Sequence, residues 1–151
     1  MAQHGQTETS DRSSGTADLP IPTDGVIVTH LLIVSDIDRS KSFYEDVLGA
    51  RTVMKDPPAI LRFYNTWLIL STAGGPTDDK PGIAATPPGD SATLTGGINL
   101  RVANIYDLYE RWRVSGATFL TPPKEHPSEI RYYLRDPDGH LIEVGLSKQR
   151  G

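Results

Sequence analysis

Cysteine is absent, and with it go disulfides, thiolate metal sites and cysteine nucleophiles. No run of lysine and arginine occurs either. Fifteen basic against nineteen acidic residues leave a net charge of −4, which argues against a nucleic-acid partner, since that affinity rests on clustered cations facing phosphates. Nor is any apolar run long enough to cross a bilayer, the longest largely apolar stretches being residues 25–34 and 67–70, so no membrane partner is expected. Residues 1–18 lack the cationic start and apolar core of a secretory signal, which makes the cytoplasm the expected location. They also lack large apolar side chains after Met1 and are expected to form a disordered tail, continued by a proline-containing lead-in to residue 24.

What is present fits one domain of ordinary size, placed at residues 25–148 of the 151. From Val26 to Val34 the chain is β-branched and aliphatic, as a strand requires, and Asp36 and Asp38 then offer helix caps. Ile37, Tyr44, Val47 and Leu48 share one helical face that Gly49 brings to a stop. Residues 51–55, 60–64 and 67–71 read as three short strands, separated by Pro57-Pro58 and Asn65-Thr66. The order βαβββ recurs after a loop at 74–95 rich in Gly, Pro, Asp and Thr. Residues 98–102 are a strand. Ile105, Leu108, Tyr109 and Trp112 define a helix capped by Asn104 and ended by Gly116, and strands follow at 118–121, 129–135 and 140–146.

The two halves form an internal repeat, with module one at 26–73 and module two at 96–148. Val34, Asp36 and Ile37 match Val102, Asn104 and Ile105, Pro57-Pro58 matches Pro122-Pro123, residues 60–64 match 129–133, and residues 67–70 match 140–143. On that alignment Leu70 is the counterpart of Glu143, and Arg62 and Tyr64 are the counterparts of Arg131 and Tyr133. The fold class is therefore α+β, two βαβββ modules in tandem forming a curved mixed sheet around a cleft.

The stretch HLLIVSDIDRSKSFYEDVLG at 30–49 and the stretch RDPDGHLIE at 135–143 resemble the two signature segments of the vicinal oxygen chelate superfamily. Glyoxalases, extradiol dioxygenases, methylmalonyl-CoA epimerases and fosfomycin and bleomycin resistance proteins belong to it. The resemblance covers residues 26–146 and implies a cleft whose metal ligands come from the first and last strand of each module. It places His30 and Glu143 at ligand positions, both suited to a divalent metal ion. The two remaining positions, near Gly97 or Ile98 and at Leu70, carry no ligand, and Glu129 is the candidate for a third donor. Glu143 is also the candidate catalytic carboxylate, and Asn99, Arg131 and Tyr133 are the candidate substrate contacts. The resemblance further implies a homodimer and a small-molecule partner.

Plainer readings stand beside these. A histidine in an apolar strand serves equally as a hydrogen-bonded core residue. Glu143 interrupts an aliphatic strand and needs a partner, which Arg131 supplies without any ligand. Glu129, Arg131 and Tyr133 alternate onto one strand face, which lines the cleft or meets solvent. Trp67 and Trp112 read as packing residues, His140 as a turn-edge residue, His126 as a loop residue and His4 as part of the tail. Two functions follow: metal-assisted lyase, isomerase or oxygenase chemistry on a small oxygenated substrate, or metal-free binding of a small molecule as in bleomycin resistance.

Overall fold

The computed structural model describes residues 18–89 and 92–149; the expectation of a disordered tail falls, for residues 1–17, outside them. The first module runs β1 (His30–Val34), α1 (Ile37–Asp46), β2 (Arg51–Met54), β3 (Ala59–Phe63) and β4 (Thr66–Thr72). The second runs β5 (Ile98–Arg101), α2 (Ile105–Val114), β6 (Thr118–Phe119), β7 (Lys124–Glu125), β8 (Glu129–Arg135) and β9 (Leu141–Ser147). Each module is a mixed sheet with its first strand at an edge, in the orders β1-β4-β3-β2 and β5-β9-β8-β6, with β7 pairing β8 off that path. The expected α+β pair of βαβββ modules is thus present. The short β7 is an addition, formed where Lys124 and Glu125 meet Arg131 and Ile130.

Local chemistry accounts for the helices. Asp36 caps α1 by accepting from the Arg39 amide at 3.1 Å. Asn104 holds the corresponding place before α2 but makes no side-chain cap bond, contrary to the sequence expectation. Gly49 and Gly116, at φ of 85° and 101°, let the chain leave each helix in the left-handed conformation. The helical faces read from the sequence are the buried ones: Tyr44, Leu48, Ile105 and Trp112 are all at most 2% exposed. Val26 and Val28, in contrast, lie before β1 and are exposed, so the first strand is shorter than its β-branched run.

In each sheet one face lies under its helix and carries the core. Leu32, Val34, Ala59, Leu61, Phe63, Leu68 and Leu70 cover that face in module one, and Ile98, Tyr132, Leu134, Ile142 and Val144 in module two. The alternate residues form the opposite, open face.

These registers correct the repeat alignment. Asp36 and Asn104 precede their helices at an offset of 68, which matches Leu31 to Asn99 and Leu32 to Leu100. Leu31 pairs with Ile69 and Asn99 with Glu143, so the counterpart of Glu143 is Ile69, not Leu70. Ile60 pairs with Ile69 and Tyr133 with Glu143, so the counterpart of Tyr133 is Ile60, not Tyr64. The slip has a physical origin: residues 120–128, which join β6 to β8 and include β7, form a longer connection than residues 55–58 between β2 and β3, and the β8–β9 turn at 136–140 then extends the hairpin by one residue relative to the Tyr64–Asn65 turn.

That longer turn locks the modules together. The Tyr44 hydroxyl donates to Asp136 Oδ2 at 2.9 Å, and Asp138 accepts from the Ser35 hydroxyl at 2.5 Å and from the Arg39 guanidinium at 3.2 Å. His140 Nε2 lies 2.9 Å from the Ile33 carbonyl, which only a protonated Nε2 can satisfy. His140 is therefore a tie between modules. Among the described residues no helix is long and apolar enough to cross a membrane.

Candidate functional site

The free edge of β1 (residues 30–33), the inter-module loop (86–89 and 93–97) and residues 139–141 enclose a cleft of about 560 Å³. A hollow of about 100 Å³, walled by Leu94, Gly97, Asn99, Tyr133, Leu141 and Glu143, shares Leu94, Gly97 and Leu141 with that cleft. Leu31, 59% exposed, and Ile33 bring the open face of module one to its apolar side.

The polar side belongs to module two. Glu143, on the open face between the buried Ile142 and Val144, accepts a hydrogen bond from the Asn99 amide and one from the Tyr133 hydroxyl at 2.5 Å. Arg131 Nε stands 3.9 Å from the same carboxylate. Arg131 Nη1 donates to Glu129 Oε2 at 3.0 Å, while Arg101 Nη2 donates to Glu129 Oε1 at 2.9 Å and to the Ser147 hydroxyl at 2.8 Å. The Arg101 guanidinium, ahead of other causes, holds the Glu129 carboxyl below its ordinary range. Donation to Glu143, and then burial, raise the Tyr133 phenol above its ordinary value.

Five of the six candidate residues therefore come together: Asn99, Tyr133 and Glu143 form one hydrogen-bonded group, Glu129 and Arg131 another, and the Arg131–Glu143 ion pair joins them into one polar array. His30 does not join them. It shares the strand parity of Leu32 and Val34, so it belongs to the helix-covered face of β1, whereas Glu143 stands on the open face of β9. Its imidazole is half-buried, and burial, with the nearby His140 second, lowers its pKa. Glu143 has Asn99 and Tyr133 on its two oxygens, and Glu129 has both of its oxygens on arginines. Leu31 and Ile69, the counterparts of Asn99 and Glu143, have no donor atoms in their side chains. Among the described residues no group of three or more His, Asp and Glu is placed to hold a metal ion. The donor set thus does not fit a chelated divalent ion within one chain.

Two members of the array escaped the sequence reading. Arg101 follows Asn99 by two residues in β5 and so shares its face, a signal that strand alternation contains. Gly145 carries no side-chain chemistry to notice. A Cβ there would lie 2.7 Å from Arg101 Cζ and 2.9 Å from Glu129 Oε1, so the Arg101–Glu129 pair can cross β9 only over a glycine.

The sequence profile of the Glyoxalase/Bleomycin resistance protein/Dioxygenase superfamily matches residues 26–144. The chain belongs to this superfamily. It is 30% identical over 122 residues to the lactoylglutathione lyase of Haemophilus influenzae, covering 78% of this chain and 89% of the lyase. It is also 30% identical over 115 residues to the metallothiol transferase FosB of Shouchella clausii, covering 74% and 73%. Among solved structures, a glyoxalase/bleomycin resistance protein/dioxygenase from Nocardioides superposes with a TM-score of 0.66 at 23% identity, over 94% of this chain and 95% of that one. An antibiotic binding protein from Streptomyces sp. superposes with a TM-score of 0.64 at 20% identity, over 85% and 100%. At those identities the two solved structures share the fold, and the chemistry rests on this chain's own side chains.

Proposed function

We propose that this superfamily member binds a small organic molecule in the cleft without a metal ion, its apolar body against Leu31 and Ile33 and a hydrogen-bond donor on Glu143. The observation that carries this reading is the state of Glu143. Asn99 and Tyr133 orient its carboxylate at the wall of the hollow, and a carboxylate has acceptor capacity for a further donor. Arg131, beside it, balances its charge. The fold also serves an antibiotic binding protein.

The test is calorimetry with divalent ions, paired with thermal-shift screening of planar compounds that bear amide, amine or phenol donors. Screening hits should lose affinity about tenfold in the Glu143→Gln variant, since a bond to a charged acceptor contributes about 1.5–3 kcal/mol. Stoichiometric metal uptake that disappears in Glu143→Gln or His30→Ala would overturn the reading in favour of a metal-assisted enzyme. A metal-assisted lyase, isomerase or oxygenase is the second reading, favoured by the 30% identity to a lyase; in it Glu143 moves the proton. Sedimentation analysis tests the expected homodimer, which would bring another copy's side chains to the cleft.

A further inference from the structure

A second cavity of about 510 Å³ lies at the other module junction, where the Tyr64–Asn65 turn meets α2. Its walls are Leu100, Val102, Leu108 and Trp112 on the apolar side, and Asn65, Asn99, Arg101 and Arg111 on the polar side. No carboxylate lines it.

Charge accounting singles out Arg111. Arg101 and Arg131 are balanced by Glu129 and Glu143, and Arg113 is paired with Glu110. Among the described residues Arg111 takes part in no ion pair. The cavity therefore carries about one uncompensated positive charge beside an apolar wall.

The repeat sharpens the contrast. At the equivalent junction of the other half, α1 meets the turn at 136–140, and that turn brings its own carboxylate, Asp138, which Ser35 and Arg39 take up. The counterpart of Arg111 at the offset of 68 is Phe43, so that half has no cation at this place and an internal anion near it. The α2 half has the cation and no internal anion. Tyr64 adds an independent sign. It sits at φ 54° in a two-residue hairpin turn, a conformation that glycine or asparagine adopts more readily, and its hydroxyl donates to the Leu48 carbonyl at 2.9 Å. The aromatic at this position gives the rim of the cavity a ring that glycine would not provide.

We propose that this cavity is a binding site for a small aryl carboxylate, the carboxylate on the Arg111 guanidinium with Asn65 beside it and the ring against the half-buried Leu100 and Leu108. A planar monoanion matches both the single uncompensated charge and the fork of a guanidinium. The site shares Asn99 with the Glu143 hollow but none of its other walls, and stands whether or not the proposed function does.

The experiment is a titration of the full chain with benzoate and naphthoate by calorimetry and ligand-observed NMR, with benzamide as the neutral isostere. The expected result is saturable binding of both acids, weakening with added salt, and about tenfold weaker binding of benzamide. Arg111→Gln should cost about tenfold or more in affinity for the acids while leaving the melting temperature unchanged, because Arg111 is exposed and unpaired. Arg111→Lys, which keeps the charge but loses the fork, should fall between. Glu143→Gln should bind the acids as the unaltered protein does. Failure of the acids to saturate, or equal affinity in Arg111→Gln, overturns the proposal; binding lost in Glu143→Gln but kept in Arg111→Gln assigns the acids to the main cleft and overturns it equally.

Discussion

Tyr133 and Glu143 face each other across the β8–β9 ladder, and the phenol hydroxyl donates to the carboxylate at 2.5 Å. Asn99, on the far side of β9, holds the other oxygen, so three adjacent strands orient one carboxylate. Tyr133→Phe should lower stability by about 1 kcal/mol, since Glu143 keeps its Asn99 partner and a quarter of its side chain meets solvent. The same bond keeps the phenol protonated to higher pH. In Glu143→Gln its ionisation should move back toward the ordinary tyrosine value, as read by pH titration of labelled tyrosine in NMR; an unmoved titration would show that the bond does not form in solution.

Gly145 is the crossing point of the polar array. Gly145→Ala should cost about 1–2 kcal/mol, because its methyl displaces the Arg101 guanidinium and separates it from Glu129. The cost should largely vanish in an Arg101→Ala background, where nothing remains to displace. Chemical denaturation of the two single variants and the double variant measures the coupling, and strict additivity would refute the crowding argument.

Asp18 anchors the lead-in. Its carboxylate pairs with Arg51 and stands 3.8 Å from Arg62, its carbonyl accepts from Trp67 Nε1 at 2.6 Å, and Arg62 stacks on the Trp67 ring at 4.0 Å. Composition alone makes residues 1–18 dispensable, whereas this contact makes the last of them a cover for Trp67. Asp18→Ala should cost less than about 1 kcal/mol, the Arg51 pair being exposed and screened. Deletion of residues 1–18 should in addition shift tryptophan emission to the red as Trp67 is uncovered. An unshifted spectrum would return the boundary to the one expected from composition.

His30 couples stability to pH. Its pKa is lowered in the fold, so between that value and about 6.5 the unfolded chain binds more protons and stability falls as pH drops through this window. The group facing it is His140, whose turn also holds Asp136; burial raises the Asp136 carboxyl, an effect of opposite sign that acts at lower pH. Melting temperature measured from pH 7.5 down to about 5 should fall less steeply in His30→Gln than in the unaltered protein. Identical slopes would place the His30 ring in solvent.

The sequence by itself determined the architecture. Aliphatic strands, helical faces built on Tyr44 and Leu48 or on Ile105 and Trp112, and glycines at both helix ends are local signals, and each appears in the fold, the first strand shorter than its pattern. Alternation along β8 was enough to group Glu129, Arg131 and Tyr133, because residues two apart in a strand share a face. Register was beyond its reach. The longer connection before β8, at residues 120–128 against 55–58 in the first module, together with the longer β8–β9 turn, shifts the repeat within its last strands, which is why Leu70 and Tyr64 matched the wrong partners and why the apolar Ile69 and Ile60 are the counterparts of Glu143 and Tyr133. The face on which His30 lies follows from the same one-residue arithmetic, since a single step along a strand exchanges the helix-covered side for the open one. Charge balance was decided at greater distance still: Arg101 meets Glu129 across a glycine, and Arg111 is left without a carboxylate because the turn that reaches it is Tyr64–Asn65 rather than one carrying an aspartate. The first depends on the strand order β5-β9-β8 within module two and the second on the packing of one module against the other, and neither is a local signal.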